Sequence, residues 1–353
     1  MKKLRNILMC VAIGGMFVGC QDLDIPPKNI LSGEDIYNEG GITAYMAGLY
    51  SQLPMEDFNM SNDGSYNGFY NWNCIIWDML STGETVNRNN TGIYIPQKGY
   101  WSMGYKTIRQ ANDLIANLPA YVGKLKGAES WIAEAKFIRA YVYFAMVKRY
   151  GGVPILETPQ EMTDDEKALW VARSSHEECI DFILSDLDYA IENLGKTKVA
   201  GRANNTYVAA AFKSRVALYA GSVARYGQIF NYSGSESGKM LTGIPEGRAN
   251  DYFMQAYKAS KIVEEGGYKL YEGNSDKEAN FREIFANADK SDESILIRQY
   301  SKNDFCSIVL MLYIVRPRMT ATYGDRYNVT LDWVELFDGL PIESCNGIPQ
   351  NNG

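Results

Sequence analysis

The stretch SWIAEAKFIRAYVYFAMVKRYGGVP, residues 130–154, decides the fold. Ile138, Val142 and Ala145 recur at helical spacing along one side, while Phe137, Tyr141 and Phe144 line another. A helix that is apolar on two faces must be covered on two sides, which places this one in the middle of a helix stack. Gly151-Gly152 ends it. Val153-Pro154-Ile155 then leads away extended, because a residue before proline is steered out of the helical region.

Working outward, the spacing predicts a helix from Trp101 to Leu118 on Tyr105, Ile108, Ala111, Leu114, Ile115 and Leu118, closed by Pro119. Another begins at the Ser175 cap and carries Ile180, Ile183, Leu187, Ile191 and Leu194. Its partner, from about Thr206 to Arg225, has Ala209, Ala210, Ala211, Ala217, Ala220 and Gly221, small residues that let helices approach closely. Further helices are predicted over Gly41–Leu53, with Tyr45, Leu49 and Leu53 on one face, and over Asp251–Glu265. Ser294 to Arg298 reads as a short strand. Residues 55–75 are rich in Asn, Ser, Gly and aromatics without helical period, and form a long loop of the kind that usually carries function. The expected class is mainly α, with helix pairs stacked as a tetratricopeptide-like α-solenoid, irregular loops and minor β. No strict 34-residue period accompanies it.

At the N-terminus, Lys2, Lys3 and Arg5 precede a short apolar run, Ile7 to Val18, and Phe17-Val18-Gly19-Cys20 reads as a lipobox. The thiol of Cys20 would carry the lipid of a bacterial lipoprotein. An ordinary cleaved signal with a chance cysteine and an uncleaved anchor are the alternatives, the run being short of the roughly 20 residues that span a bilayer. Residues 1–19 are therefore read as signal peptide, 20–40 as an acidic tether containing Asp22, Asp24 and Pro26-Pro27, and 41–353 as the helical domain.

The 353 residues carry a net charge of −7 without basic clusters, which argues against nucleic acid as a partner. Cys74, Cys179, Cys306 and Cys345 lie far apart with no metal-ligand spacing, and read as buried small apolar residues or, for two of them, one disulfide. The single histidine, His176, leaves little material for a catalytic triad or a metal site, and no cofactor is expected. Its capping-box context predicts an exposed first turn. The excess is in aromatics, with 25 Tyr, 6 Trp and 13 Phe, whose flat faces and polar edges suit both helix packing and sugar rings.

Three segments resemble the SusD/RagB family of outer-membrane nutrient-binding lipoproteins. They are Cys20 with Asp22-Leu23-Asp24 and Tyr45 to Tyr50; Ala133 to Tyr141 continuing through Arg149-Tyr150-Gly151-Gly152-Val153-Pro154; and Asp186-Leu187 with Gly201-Arg202-Ala203 and Arg215 to Tyr219. The resemblance implies four irregular tetratricopeptide-like units and binding without covalent chemistry. It implies capture of oligosaccharides, or in some members peptides, and their delivery to a SusC-like TonB-dependent transporter from a lipid-anchored, surface-exposed position on the outer membrane. The family usually continues beyond the segment that Phe337 to Ile342 resembles. A short C-terminus is therefore expected, with exposed apolar surface near Ile308 to Ile314.

Trp101 resembles a position where family members often place a sugar-stacking tryptophan; packing between helices is the other reading. Trp72, Tyr66 and Tyr70 in the long loop are candidates for ligand contact. Glu84 and Arg88 resemble the region of polar hydrogen-bonding side chains, a carboxylate accepting from adjacent hydroxyls and a guanidinium donating in a fixed fork. Arg316, Arg318 and Tyr323 are weaker candidates, and Asn112 is expected to bond a neighbouring loop. Two rivals remain: an all-helical glycoside hydrolase using a carboxylate pair such as Asp78 and Glu84, and a periplasmic tetratricopeptide scaffold that binds proteins.

Overall fold

The computed structural model describes residues 36–53, 100–161, 165–198, 202–227, 238–286 and 291–297, and the backbone of 85–87 and 327–329. The chain divides into two compact units, Met1–Tyr45 and Met46–Gly353. Of the first, residues 36–45 are described. They open helix α1 (Glu39–Ser51), where the Asn38 side chain accepts from the amides of Gly40 and Gly41 at 3.1 and 2.9 Å.

In the second unit, β1 (Thr85–Asn87) pairs antiparallel with β2 (Tyr327–Val329), Val86 opposite Asn328. The described α-helices that follow are α2 (Trp101–Asn117), α3 (Ala128–Tyr150), the single turn α4 (Glu166–Leu169), α5 (His176–Asn193), α6 (Thr206–Tyr226), α7 (Ala249–Glu264) and α8 (Lys277–Ala286). Each long helix packs on the next in order, α2 on α3, α3 on α5, α5 on α6 and α6 on α7, the stacking of a helical solenoid. The two-faced α3 lies between α2 and α5 as its pattern requires, with Phe137, Ile138, Val142, Tyr143 and Phe144 buried. Phe212 of α6 meets the Phe137, Tyr141 and Phe144 side, stacking on Tyr141 at 4.5 Å and 12°. Gly221 brings α6 and α7 together, for a methyl group there would sit 2.6 Å from the Phe253 ring.

Gly151 and Gly152 do more than end α3. A Cβ on Gly151 would lie 2.0 Å from the Leu241 carbonyl oxygen, and one on Gly152 would lie 1.9 Å from that of Ser174. Three backbone segments meet at this pair, and Gly151 also needs φ +71°, a conformation that side chains disfavour. The Gly152 amide donates to Leu241 O at 2.6 Å, and the His176 amide to the carbonyl of Met240, itself held at φ 49°.

From this joint, residues 152–157 run extended along the helices as a strap without a strand partner among the described residues. Side chains of the helices, and Arg173 just before α5, satisfy most of its backbone groups. Tyr105 donates to Pro154 O at 2.7 Å, Asn112 to Leu156 O at 2.8 Å and Arg139 to Glu157 O at 3.1 Å; Tyr143 accepts from Leu156 N at 2.7 Å. Arg173 donates to Gly152 O at 2.7 Å, and the Cys179 thiol both accepts from Val153 N and donates to Val153 O at 3.3 Å. Asn112 thus makes the structural bond expected of it.

Four expectations need correction. The buried face of α1 in this unit is Met46, Leu49 and Leu53, with Tyr45 one position off it and half-buried. His176 follows the predicted capping box but is only 4% exposed, because the first residue of α5 turns inward toward the Tyr219 ring. Residues 292–297 form turns and bends rather than a strand, since Ser291 folds them back by accepting from Glu293 N and Ser294 N. Helix α8 was not anticipated: its apolar pattern is weak, Phe281 lies 62% exposed, and a local cap, Asp276 accepting from Glu278 N, starts it.

Candidate functional site

Of the residues proposed from the sequence to contact ligand, Trp101 is the one inside the described region. Cys20, Tyr66, Tyr70, Trp72, Glu84, Arg88, Arg316, Arg318 and Tyr323 lie outside it, as do Asp78, the 55–75 loop and the cysteines other than Cys179. Trp101 is the first residue of α2, directly after the fully buried Tyr100. It remains 38% exposed while two tyrosines brace its ring: Tyr105 one turn on, at 5.2 Å and 55°, and Tyr150 at the end of α3, at 5.3 Å and 73°. Tilted and edge-on packing of this kind holds a ring in place. Tyr105 is itself tied to the strap through its hydroxyl, and burial pushes its pKa far above the ordinary phenol value. Tyr150 reaches Trp101 because Gly104 lets α3 come close; a methyl group at Gly104 would sit 2.5 Å from the Met146 sulfur. Trp101 thus has one part of its ring packed against the ends of two helices and another part open to solvent.

The charged residues of the deciding stretch do different work. Arg139, 3% exposed, donates through Nε and Nη2 to both carboxylate oxygens of Asp186 at 2.7 and 2.8 Å, and through Nη1 to Asn112 Oδ1 at 2.7 Å. Lys136 completes the cluster at 2.9 Å from Asp186, and the Phe182 ring lies 4.9 Å from the guanidinium. Glu134, fully buried, accepts from the Tyr50 hydroxyl at 2.6 Å and from Arg202, and the Tyr50 oxygen accepts from Ala203 N at 3.0 Å. Burial raises the Glu134 pKa, opposed by the bonds from Arg202 and Tyr50. Both centres are satisfied from within, as buried polar groups must be, and serve to lock helices and strap together. The sequence carried a signal for them: charges on a helix apolar on two faces have nowhere dry to go unless paired.

Burial raises the Cys179 thiol to about 11, which makes it inert as a nucleophile at neutral pH. Among the described residues no three His, Cys, Asp or Glu side chains are grouped to hold a metal ion. Nor is any described helix long and apolar enough to cross a membrane. The described part is a helical-repeat scaffold presenting a braced aromatic surface.

Comparison with known proteins places that scaffold. The profile of the SusD-like family described as "Starch-binding associating with outer membrane" matches residues 23–218, over half of the chain. The chain belongs to the SusD-like family. A SusD-like protein of Bacteroides ovatus is 26% identical over 215 residues, 57% of this chain and 37% of that protein. Matches to curated relatives span between 37% and 44% of their length. Among solved structures, a SusD superfamily protein from Parabacteroides distasonis superposes with a TM-score of 0.60 at 20% identity, covering 84% of this chain and 60% of that one. A structure described as being with xylogluco-oligosaccharide gives 0.53 at 18% identity, covering 84% and 55%. At these identities the likeness concerns the fold.

Proposed function

We propose that this chain is a glycan-binding lipoprotein of the outer membrane that captures oligosaccharides at the cell surface and delivers them to a SusC-like TonB-dependent transporter. It acts as a binding protein, without catalysis. The observation that carries the reading is the family match over residues 23–218, whose printed description is starch binding in association with the outer membrane. Trp101 supports it locally: an aromatic face braced by Tyr105 and Tyr150 is pre-oriented for a pyranose and loses little freedom when one stacks on it. The ligand reported with the xylogluco-oligosaccharide structure fits the same chemistry. Trp72, Tyr66, Tyr70, Glu84 and Arg88 are proposed to complete the contact set, and Cys20 to carry the lipid.

Isothermal titration with malto-oligosaccharides and xylogluco-oligosaccharides tests the binding. Trp101→Ala is expected to weaken it about five- to tenfold, the worth of one stacking contact. Absence of binding to every member of both series would refute the reading. Labelling of cells with palmitate, lost in Cys20→Ser, tests the anchor. Protease treatment of intact cells tests exposure, and co-purification with a TonB-dependent barrel tests the partner; protection from protease would favour the periplasmic scaffold instead.

A further inference from the structure

We infer that the glycan surface extends from Trp101 along α2 to a second aromatic platform, Trp170, so that the protein selects oligosaccharides of several sugars over short ones. This rests on the glycan-binding reading of Trp101. Trp101, Tyr105 and Arg109 are spaced by four residues and share one side of α2, with about 12 Å of helix rise between the first and the last. The strap follows that side. It is pegged at Pro154 by Tyr105, and farther on Arg109 donates to the Gln160 carbonyl and pairs with Glu161 at 3.6 Å. Gln160 in turn donates from Nε2 to the Leu169 carbonyl at 3.2 Å, which fixes the turn carrying the next residue, Trp170. The Asp165 side chain caps that turn by accepting from Lys167 N at 3.3 Å. Trp170 is 79% exposed, the second most exposed of the large apolar side chains described, yet its amide donates to the Lys167 carbonyl and the residue before it is tied to Gln160. An indole presented to water on a fixed turn is an arrangement that packing among the described residues does not require.

The run of contacts from Trp101 to the Trp170 turn passes through groups that a chain of hydroxyls can use. The Arg109 and Glu161 side chains are 55% and 62% exposed, so a ligand can reach both from solvent. Stacking at each end and polar bonds between them suit an extended, neutral oligosaccharide. The surrounding Asp165 and Glu166 disfavour an anionic membrane surface as the occupant. Leu169 and Val171, 36% and 41% exposed, would also suit a protein contact, and the test separates the two.

The experiment titrates the full chain, Trp101→Ala and Trp170→Ala with malto-oligosaccharides of two to seven sugars and with xylogluco-oligosaccharides. The expected result is that Trp170→Ala loses about three- to tenfold in affinity for the longer oligosaccharides and nothing for the shortest that bind, while Trp101→Ala loses at every length. The exposed position of Trp170 leaves thermal stability unchanged. If Trp101→Ala weakens binding and Trp170→Ala leaves every affinity at the wild-type value, the second platform is overturned and the glycan reading stands. Loss of a protein partner by Trp170→Ala without any change in glycan affinity overturns it likewise. A wild-type chain that binds no oligosaccharide removes both.

Discussion

Protonation of His176 should set how this protein's stability falls in mild acid. The ring is 4% exposed, neither nitrogen has a hydrogen-bond partner among the described residues, and burial lowers its pKa from 6.5 to about 4. In the unfolded chain the ring takes a proton near pH 6.5; in the folded chain it does so only near 4. Stability is therefore full above pH 6.5, falls as pH drops from 6.5 to 4, and loses nothing further to this group below that. Linkage puts the loss at about 2 kcal/mol at pH 5 and about 3 kcal/mol once both states are protonated. Glu134 works in the opposite sense, since a raised carboxyl pKa costs stability as pH rises. A comparison of variants isolates the histidine. Urea unfolding of the wild type and of His176→Phe at pH 7.5, 6 and 5 is the assay, with the pH 7.5 difference taken as the packing effect of the larger ring. The gap between the two proteins should move by about 2 kcal/mol in favour of the variant between pH 7.5 and 5. A gap that stays constant across that range would refute the assignment.

Three further outcomes follow from the packing. Gly152→Ala should cost at least about 3 kcal/mol, visible as loss of soluble folded protein or a collapsed melting temperature, because backbone rather than a movable side chain occupies the space. Asp186→Asn leaves the Arg139 guanidinium buried beside a neutral amide and should cost about 3–5 kcal/mol in chemical denaturation. Ser175→Ala removes the side-chain acceptor for the Glu178 amide and should cost about 1 kcal/mol, with the helix otherwise retained by circular dichroism.

How much of this was legible beforehand depended on how far apart the partners lie. The helices and the Ser175 cap were readable because period, cap and breaker act within a few residues. The side chains that pair were not: Arg139 meets Asp186 47 residues on, and Glu134 meets Arg202 68 residues on. The chain's pattern shows only that such charges require partners. His176 was misread because the exposure of a helix's first residue depends on which neighbour lies over it. The run 294–298 was misread because a short apolar segment becomes a strand only beside an edge that can pair with it. Trp101 stands out through its resemblance to a position where the family places a sugar-stacking tryptophan, whereas its brace from Tyr150, 49 residues away, and the tie from Gln160 to the Trp170 turn are tertiary facts.

The strap has a consequence for how the family can vary. A strand in a sheet finds its place through repeating backbone bonds, so it can slip by two residues and pair again. Residues 152–157 are placed instead mainly by six unlike side chains, Tyr105, Asn112, Arg139, Tyr143, Arg173 and Cys179, which serve particular carbonyls and amides. They work like the wards of a lock, which admit one alignment only. Insertion or deletion of a single residue here would leave several of these groups facing nothing, so length change between relatives should be shut out of this segment and pushed into the loops on either side of it.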